Sequence, residues 1–125
     1  MIMELGQIKE VMKKYGVAWE KQDSNLILDC FTKEGIYQES PVSKPYKGHE
    51  EIKKFWEKSV INNTKHIKFK LGKCYVSNDQ GTGFAEWNCK NEYMGRHHNM
   101  YGVMILKMKG DKISYLNEYW NTIKE

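Results

Sequence analysis

The sequence predicts an α+β fold in which three N-terminal helices cover one face of a curved, mainly antiparallel sheet. Three observations carry this expectation. Apolar residues recur at three-four spacing through the first half, the period changes to two from Lys65 onward, and one short strand interrupts the helices at Ile36. A chain of 125 residues fits one domain, 1–125, large enough to hold a core without a disulfide or metal staple.

Leu5, Ile8, Met12, Tyr15 and Trp19 step by three or four, which predicts an amphipathic helix from about Met3 to Glu20 with Lys9, Lys13 and Lys14 on its wet side. Asp23 is placed to cap a second helix, whose Leu26, Ile27, Cys30 and Phe31 face inward until Gly35 stops it. A strand over Ile36 to Glu39 follows. Pro41 and Pro45 then forbid both a ladder and a helix until Gly48 is passed. His49, Glu50 and Glu51 open a third helix that runs to Val60, with the acidic pair at the positive end of its dipole and Ile52, Phe55, Trp56 and Val60 on its apolar stripe.

In the second half, His66 to Val76 alternates Ile67, Phe69 and Leu71 against Lys68 and Lys70, and a turn around Asn78 to Gly81 leads into Phe84 to Tyr93. There Trp87, Cys89, Asn91 and Tyr93 share one face. Arg96 to Met108 sets His98, Met100, Met104, Leu106 and Met108 opposite Lys107 and Lys109, and Gly110-Asp111 turns into a last strand from Ile113 to Trp120 with Leu116, Glu118 and Trp120 inward.

Composition excludes several classes. Of the 20 basic residues only Arg96 is arginine, and they are dispersed, so the net charge of +4 forms no phosphate-reading patch. The aromatic residues sit at core periodicities and not among clustered cations, so no nucleic-acid partner is expected. MIMELGQIKEVMKK breaks its apolar runs with Glu or Lys, and no stretch approaches a membrane span, so a cytoplasmic protein with no membrane partner is expected. Cys30, Cys74 and Cys89 are odd in number and form no CxxC, which predicts reduced thiols. No phosphate loop, dinucleotide fingerprint or nucleophile elbow occurs, and no cofactor is expected.

Chemistry concentrates at Glu39, held at a strand end among aromatic residues. A carboxylate in apolar surroundings is poorly solvated; its pKa rises, and it can take a proton from carbon or water near neutral pH. Tyr15, on the buried stripe of the first helix, supplies a phenol able to stabilise developing negative charge. The plainer alternative has Glu39 accepting backbone N–H groups in the proline loop while Tyr15 merely packs. Glu118 reads either as a second inward acid or as a salt-bridged rim residue. His97 and His98 point to opposite faces and cannot ligate one ion together, so no metal is expected; a site built from one His, Glu39 and Glu118 is the alternative. His98 reads as a pocket hydrogen-bonding residue or proton carrier, against a satisfied core histidine.

The order of elements, with Trp19, Asp23, Phe31, GIYQESP, Tyr46-Lys47-Gly48, Ile52 and the closing GDKISYLNEYW, resembles the nuclear transport factor 2-like superfamily, in particular its SnoaL-like branch. Among its members the ketosteroid isomerases are similar in placing Tyr15 at their oxyanion-hole tyrosine, Glu39 at their general base and Trp120 at their pocket tryptophan. Their second oxyanion donor, an aspartate, falls here near Val103 or Met104, which cannot donate. The resemblance implies that the strongly curved sheet forms a cone, a cystatin-like α+β barrel, around a deep pocket lined by Tyr15, Trp19, Tyr37, Trp56, Phe69, Trp87, Asn91, Tyr93, Met100, Met104, Leu116 and Trp120, with Glu39, His98 and Glu118 as polar groups. It implies a cofactor-free acid-base enzyme of isomerase, cyclase or dehydratase type, with Glu39, Tyr15 and His98 catalytic and a small apolar carbonyl-bearing or cyclic molecule as substrate. A non-catalytic binding module and a protein-interaction domain with a filled cavity are the alternatives. Such sheets usually pair in this superfamily, and the outward set Tyr101, Val103, Ile105, Tyr115 and Tyr119 is apolar enough to predict a homodimer through the convex face.

Overall fold

The computed structural model describes residues 2–123. The first helix, α1, spans Leu5–Lys21 and buries Ile8, Val11, Met12, Tyr15 and Ala18. Leu5, expected on that stripe, is 40% exposed, because Met3 fills the inner position just before the helix instead. The helix begins where the Glu4 backbone N–H donates to the Gln7 side chain at 2.9 Å. It ends at Gln22, whose φ of 52° lies in the left-handed region. Its side-chain amide donates to the carbonyls of Val60 and Thr64 at 2.7 and 2.6 Å, tying that end to the start of the sheet.

Asp23 caps α2, Ser24–Cys30, by accepting from the Leu26 N–H at 3.1 Å. The helix is shorter than expected. Phe31 does not extend it but opens β1, Phe31–Gln38, because an aromatic and a β-branched residue in succession can pair with the far end of the chain. That pairing is parallel, Phe31 with Ile113 and then Ile36 with Tyr115, with an irregularity between them. Gly35 lies in this irregularity and is no helix stop. After the proline loop, β2 (Tyr46–Lys47) pairs antiparallel with β1.

The third helix, α3, Gly48–Phe55, passes without a break into a π-helical segment, Trp56–Ile61. The expected stripe of Ile52, Phe55, Trp56 and Val60 is buried, but the last two sit on the wider turn. Four long strands follow: β3 (Thr64–Val76), β4 (Gly83–Tyr93), β5 (Arg96–Lys109) and β6 (Lys112–Ile123).

The sheet runs in the order β2-β1-β6-β5-β4-β3, antiparallel except for β1 against β6. It is mixed and does not close. β2 and β3 are its two edges, so the expected α+β cone is present with its sheet unclosed. Irregular register at Lys65/Lys68 and Leu71/Cys74 in β3, and at Lys107/Met108 between β5 and β6, supplies bends that let long strands wrap the helices. Helix α1 lies directly on β3. A Cβ on Gly16 would meet the Phe69 ring at 2.6 Å, so this residue must be glycine for that aromatic ring to reach the interior beside Tyr15. Among the described residues no helix is long and apolar enough to cross a membrane.

Candidate functional site

Among the described residues one acid is buried in the interior of the cone. Glu118 on β6 is 6% exposed, and no Lys, Arg or His among the described residues forms an ion pair with it. Its partners are phenols. Tyr15 from α1 donates to Oε2 at 3.2 Å and Tyr37 from β1 donates to Oε1 at 3.3 Å, while the two phenol oxygens lie 2.6 Å apart. Glu118 is therefore no salt-bridged rim residue but part of a buried triangle.

The proton count of that triangle decides its charge. Three contacts need three protons. Two phenols supply two, so an ionised Glu118 that accepts from both leaves the phenol–phenol contact without a proton, whereas the carboxylic acid provides the third: one phenol–carboxyl contact then runs from the acid to the phenol, and each group donates once around the ring. Burial disfavours the carboxylate, and the charge of Glu39 adds to that, against the pull of the Tyr15 and Tyr37 hydrogen bonds; the Glu118 pKa is pushed up to about 8. Burial likewise pushes both phenols well above their ordinary range, with the charge of Glu118 next in weight. The Trp19 and Trp56 indole N–H groups lie beside the Tyr15 and Tyr37 phenols and favour their ionised forms slightly, without reaching full hydrogen-bond geometry.

Glu39 stands just past the end of β1, where the chain bends into the proline loop, and is half-buried. Its loop is fastened by Trp120, whose indole N–H donates to the Glu39 carbonyl at 2.8 Å. Loss of solvation raises the Glu39 pKa. Glu39 and Glu118 both line a cavity of about 50 Å³, with Trp19, Tyr37, Phe55, Phe69, Trp87, Cys89, Asn91, Met100 and Trp120 completing its walls. An open groove of about 460 Å³ adjoins it through Glu39 and Phe55, and Tyr46, Lys54, Lys58 and Tyr93 border that groove. Gly102 on β5 lies tight against β6 and Trp87. A Cβ there would lie 2.3 Å from the Tyr119 carbonyl oxygen and 2.9 Å from the Trp87 ring.

Most of the expected pocket residues meet here, but not all. Trp56, Met104 and Leu116 are fully buried in the core and are not cavity walls, and Tyr15 reaches the site only through Glu118 and Tyr37. Tyr93, expected inward with Asn91, is 38% exposed at the strand end and borders the outer groove. His98 pairs across the ladder with Asn91 and sets its ring edge-on to Tyr93, at a centroid distance of 6.4 Å; it is not a wall of the cavity. Phe55 and Cys89 are walls that the sequence reading placed on inward faces without assigning them to the site. Among the described residues no three His, Cys, Asp or Glu side chains are grouped to hold a metal ion.

The model of the SnoaL-like domain matches residues 12–116. This chain belongs to the SnoaL-like family. No curated protein matches it. Solved structures show the nuclear transport factor 2-like, ketosteroid isomerase-like fold. A Bacillus subtilis protein provisionally named an isomerase is 18% identical, with a TM-score of 0.82 over 93% of this chain and 87% of that one. SalBIII, an epoxide hydrolase/cyclase-like enzyme of pyran ring formation in the polyether salinomycin, is 14% identical, with a TM-score of 0.77 over 90% and 89%. An epoxide hydrolase of the LEH-like type from M. tuberculosis is 8% identical, with a TM-score of 0.76 over 94% of this SnoaL-like chain and 84% of its own.

Proposed function

We propose that this SnoaL-like protein is a cofactor-free acid-base enzyme acting on a small, mostly apolar carbonyl-bearing or cyclic molecule. One observation carries the reading. Two carboxyl groups with unequal surroundings line the same aromatic cavity: Glu118 fully buried and pushed up to about 8, Glu39 half-buried at the mouth and raised by burial alone. Environments that separate the pKa values of two acids assign their roles. Glu39 is the base that removes a proton from carbon, water or a substrate hydroxyl. Glu118, neutral at pH 7 and backed by Tyr15 and Tyr37, is the acid that hydrogen-bonds or protonates the oxygen where charge develops.

The role of SalBIII in pyran ring formation, and the LEH-like epoxide hydrolase character of the M. tuberculosis protein, support ring opening or closure beside isomerisation as the reaction type. In each, one proton leaves an oxygen or carbon nucleophile for Glu39 and another passes from Glu118 to the oxygen that was carbonyl or ether. His98, off the cavity wall, has no assigned step in this scheme.

The cavity volume of about 50 Å³ favours a second reading, a binding module whose interior is nearly filled by its own side chains. Deuterium incorporation next to the carbonyl of small cyclic ketones, together with hydrolysis of small epoxides, separates the two. Turnover that falls by about 10²-fold to 10⁴-fold in Glu39→Gln, with ligand binding retained, supports the enzyme. Absence of both activities leaves the binder, and activity unchanged in Glu39→Gln removes Glu39 as the base.

A further inference from the structure

We infer that this cavity selects a small alkylammonium cation, held against its aromatic walls and neutralised by Glu118. The inference rests on the reading of the cavity as the ligand site and does not require turnover. Of its eleven lining residues six are aromatic and two are carboxylic acids; the others are Cys89, Asn91 and Met100, and none is Lys, Arg or His. That bias is notable in a chain with 20 basic residues and a net charge of +4. Every ion pair found among the described residues lies elsewhere, so Glu39 and Glu118 face the cavity without a cation. Asn91 turns its amide N–H groups onto the sulfurs of Cys89 and Met100, at 3.6 and 3.4 Å, which leaves that donor occupied.

Aromatic faces attract cations through the ring quadrupole, and a desolvated site strengthens that attraction. A carboxylate in the same site adds a counter-charge. Size restricts the ligand: about 50 Å³ at roughly 10–15 Å³ per water-sized group holds only a few heavy atoms, which suits a trimethyl- or tetramethylammonium head and excludes a steroid. The buried indole N–H groups of Trp19 and Trp87, which lack hydrogen-bond partners, are what an anion would seek, so acetate is the informative opponent.

Entry of a permanent cation has a proton balance. Glu118 gives up its carboxyl proton to solvent and pairs as the carboxylate, so one proton is released for each cation bound below the Glu118 pKa. The groups that face Glu118 are Tyr15 from α1, Tyr37 from β1, Glu39 past the end of β1 and Cys89 from β4; burial pushes both phenols and the thiol up and raises Glu39, and Glu118, at about 8, is the group whose titration the measurement follows.

Tetramethylammonium chloride is titrated into the full chain from about pH 6 to about pH 8.5 at constant ionic strength, by calorimetry in buffers of different ionisation enthalpy, with tert-butanol and sodium acetate as neutral and anionic counterparts. Expected are an affinity for tetramethylammonium that rises by up to about tenfold per pH unit and levels near the Glu118 pKa, proton release on binding, and affinity at least about tenfold above that of tert-butanol. Glu118→Gln should flatten the pH dependence. If that variant does not fold, proton release by the wild-type chain decides alone. Equal or tighter binding of tert-butanol or acetate, or binding of tetramethylammonium without proton release, overturns the cation inference while leaving the acid-base proposal standing. Failure of tetramethylammonium, tert-butanol and the cyclic ketones alike overturns both.

Discussion

Tyr15 and Glu118, separated by 103 positions in the chain, meet at 3.2 Å in the centre of the cone, and that contact joins the first helix to the last strand. Tyr37 completes the cluster, 2.6 Å from the Tyr15 phenol and within reach of the other oxygen of the same carboxyl group. A buried polar cluster of this kind is stabilising only while every member has a partner.

The charge of Glu118 makes stability depend on pH. A carboxyl pKa raised from 4.5 to about 8 means that the folded chain holds a proton that the unfolded chain has released. Its stabilising effect is complete below about pH 4.5, erodes as pH rises through the neutral range, and is gone above about pH 8. Urea unfolding should show stability falling across that window. Glu118→Gln, which cannot ionise, should flatten the slope and be at least as stable as the parent at the alkaline end. A parent protein equally stable at both ends would refute the neutral acid.

Removal of one phenol should act on both stability and titration. Tyr37→Phe leaves one donor and one acceptor of the Tyr15–Glu118 pair unmatched, at a cost of about 1–3 kcal/mol in chemical unfolding. The Tyr37 hydrogen bond lowers the Glu118 pKa, so its loss should move that pKa further up, observable by carbon NMR of the labelled carboxyl group. A downward move would assign the burial wrongly.

The architecture was legible because it is written in periodicity. Ile8, Met12 and Tyr15 at three-four spacing, and Trp87, Cys89 and Asn91 in alternation, are inward in the structure as their spacing requires. The start of β1 was not legible: Phe31 continues the helical stripe of Leu26, Ile27 and Cys30, and only its pairing with Ile113, far along the chain, makes it a strand. That the sheet stays open is likewise a tertiary fact, since it depends on whether β2 meets β3. At the site, alternation pointed Glu118 inward, yet nothing local separated a rim ion pair from a buried acid. The decision comes from Tyr37, whose phenol position depends on the parallel pairing of β1 with β6.

Thiol reactivity should rank by burial. The three cysteines are free, and burial pushes Cys30 up to about 12 and Cys89 up to about 11, whereas Cys74 is only half-buried. A thiol-specific chromophore should label Cys74 first in the native protein and reach the other two only on unfolding. Rapid labelling of Cys89 would show that reagents enter the cavity.

The outer face of the sheet predicts a homodimer. Tyr101 and Tyr119 are 48% and 41% exposed, and Val103 pairs directly with Tyr119 across β5 and β6, which places apolar and aromatic side chains side by side on water. Light scattering at tens of micromolar should give twice the mass of the chain, and Tyr119→Lys should return the monomer. A monomeric parent protein would end this reading.

Trp120 tests whether the mouth of the cavity is a fastened structure or a passive rim. Its ring is 39% exposed, so its substitution removes little core, yet its indole N–H holds the Glu39 carbonyl at 2.8 Å and its ring walls the cavity. Trp120→Phe keeps an aromatic wall and deletes that one donor. The expected loss of stability is about 0.5–1.5 kcal/mol, the ordinary net worth of one hydrogen bond. Because the bond sets the position of the residue proposed as base, turnover of any cyclic ketone or epoxide found to react should fall by more than that loss explains, in kcat rather than in KM, since the binding walls remain. Equal small losses in binding and stability, with kcat unchanged, would make Trp120 a wall and nothing more.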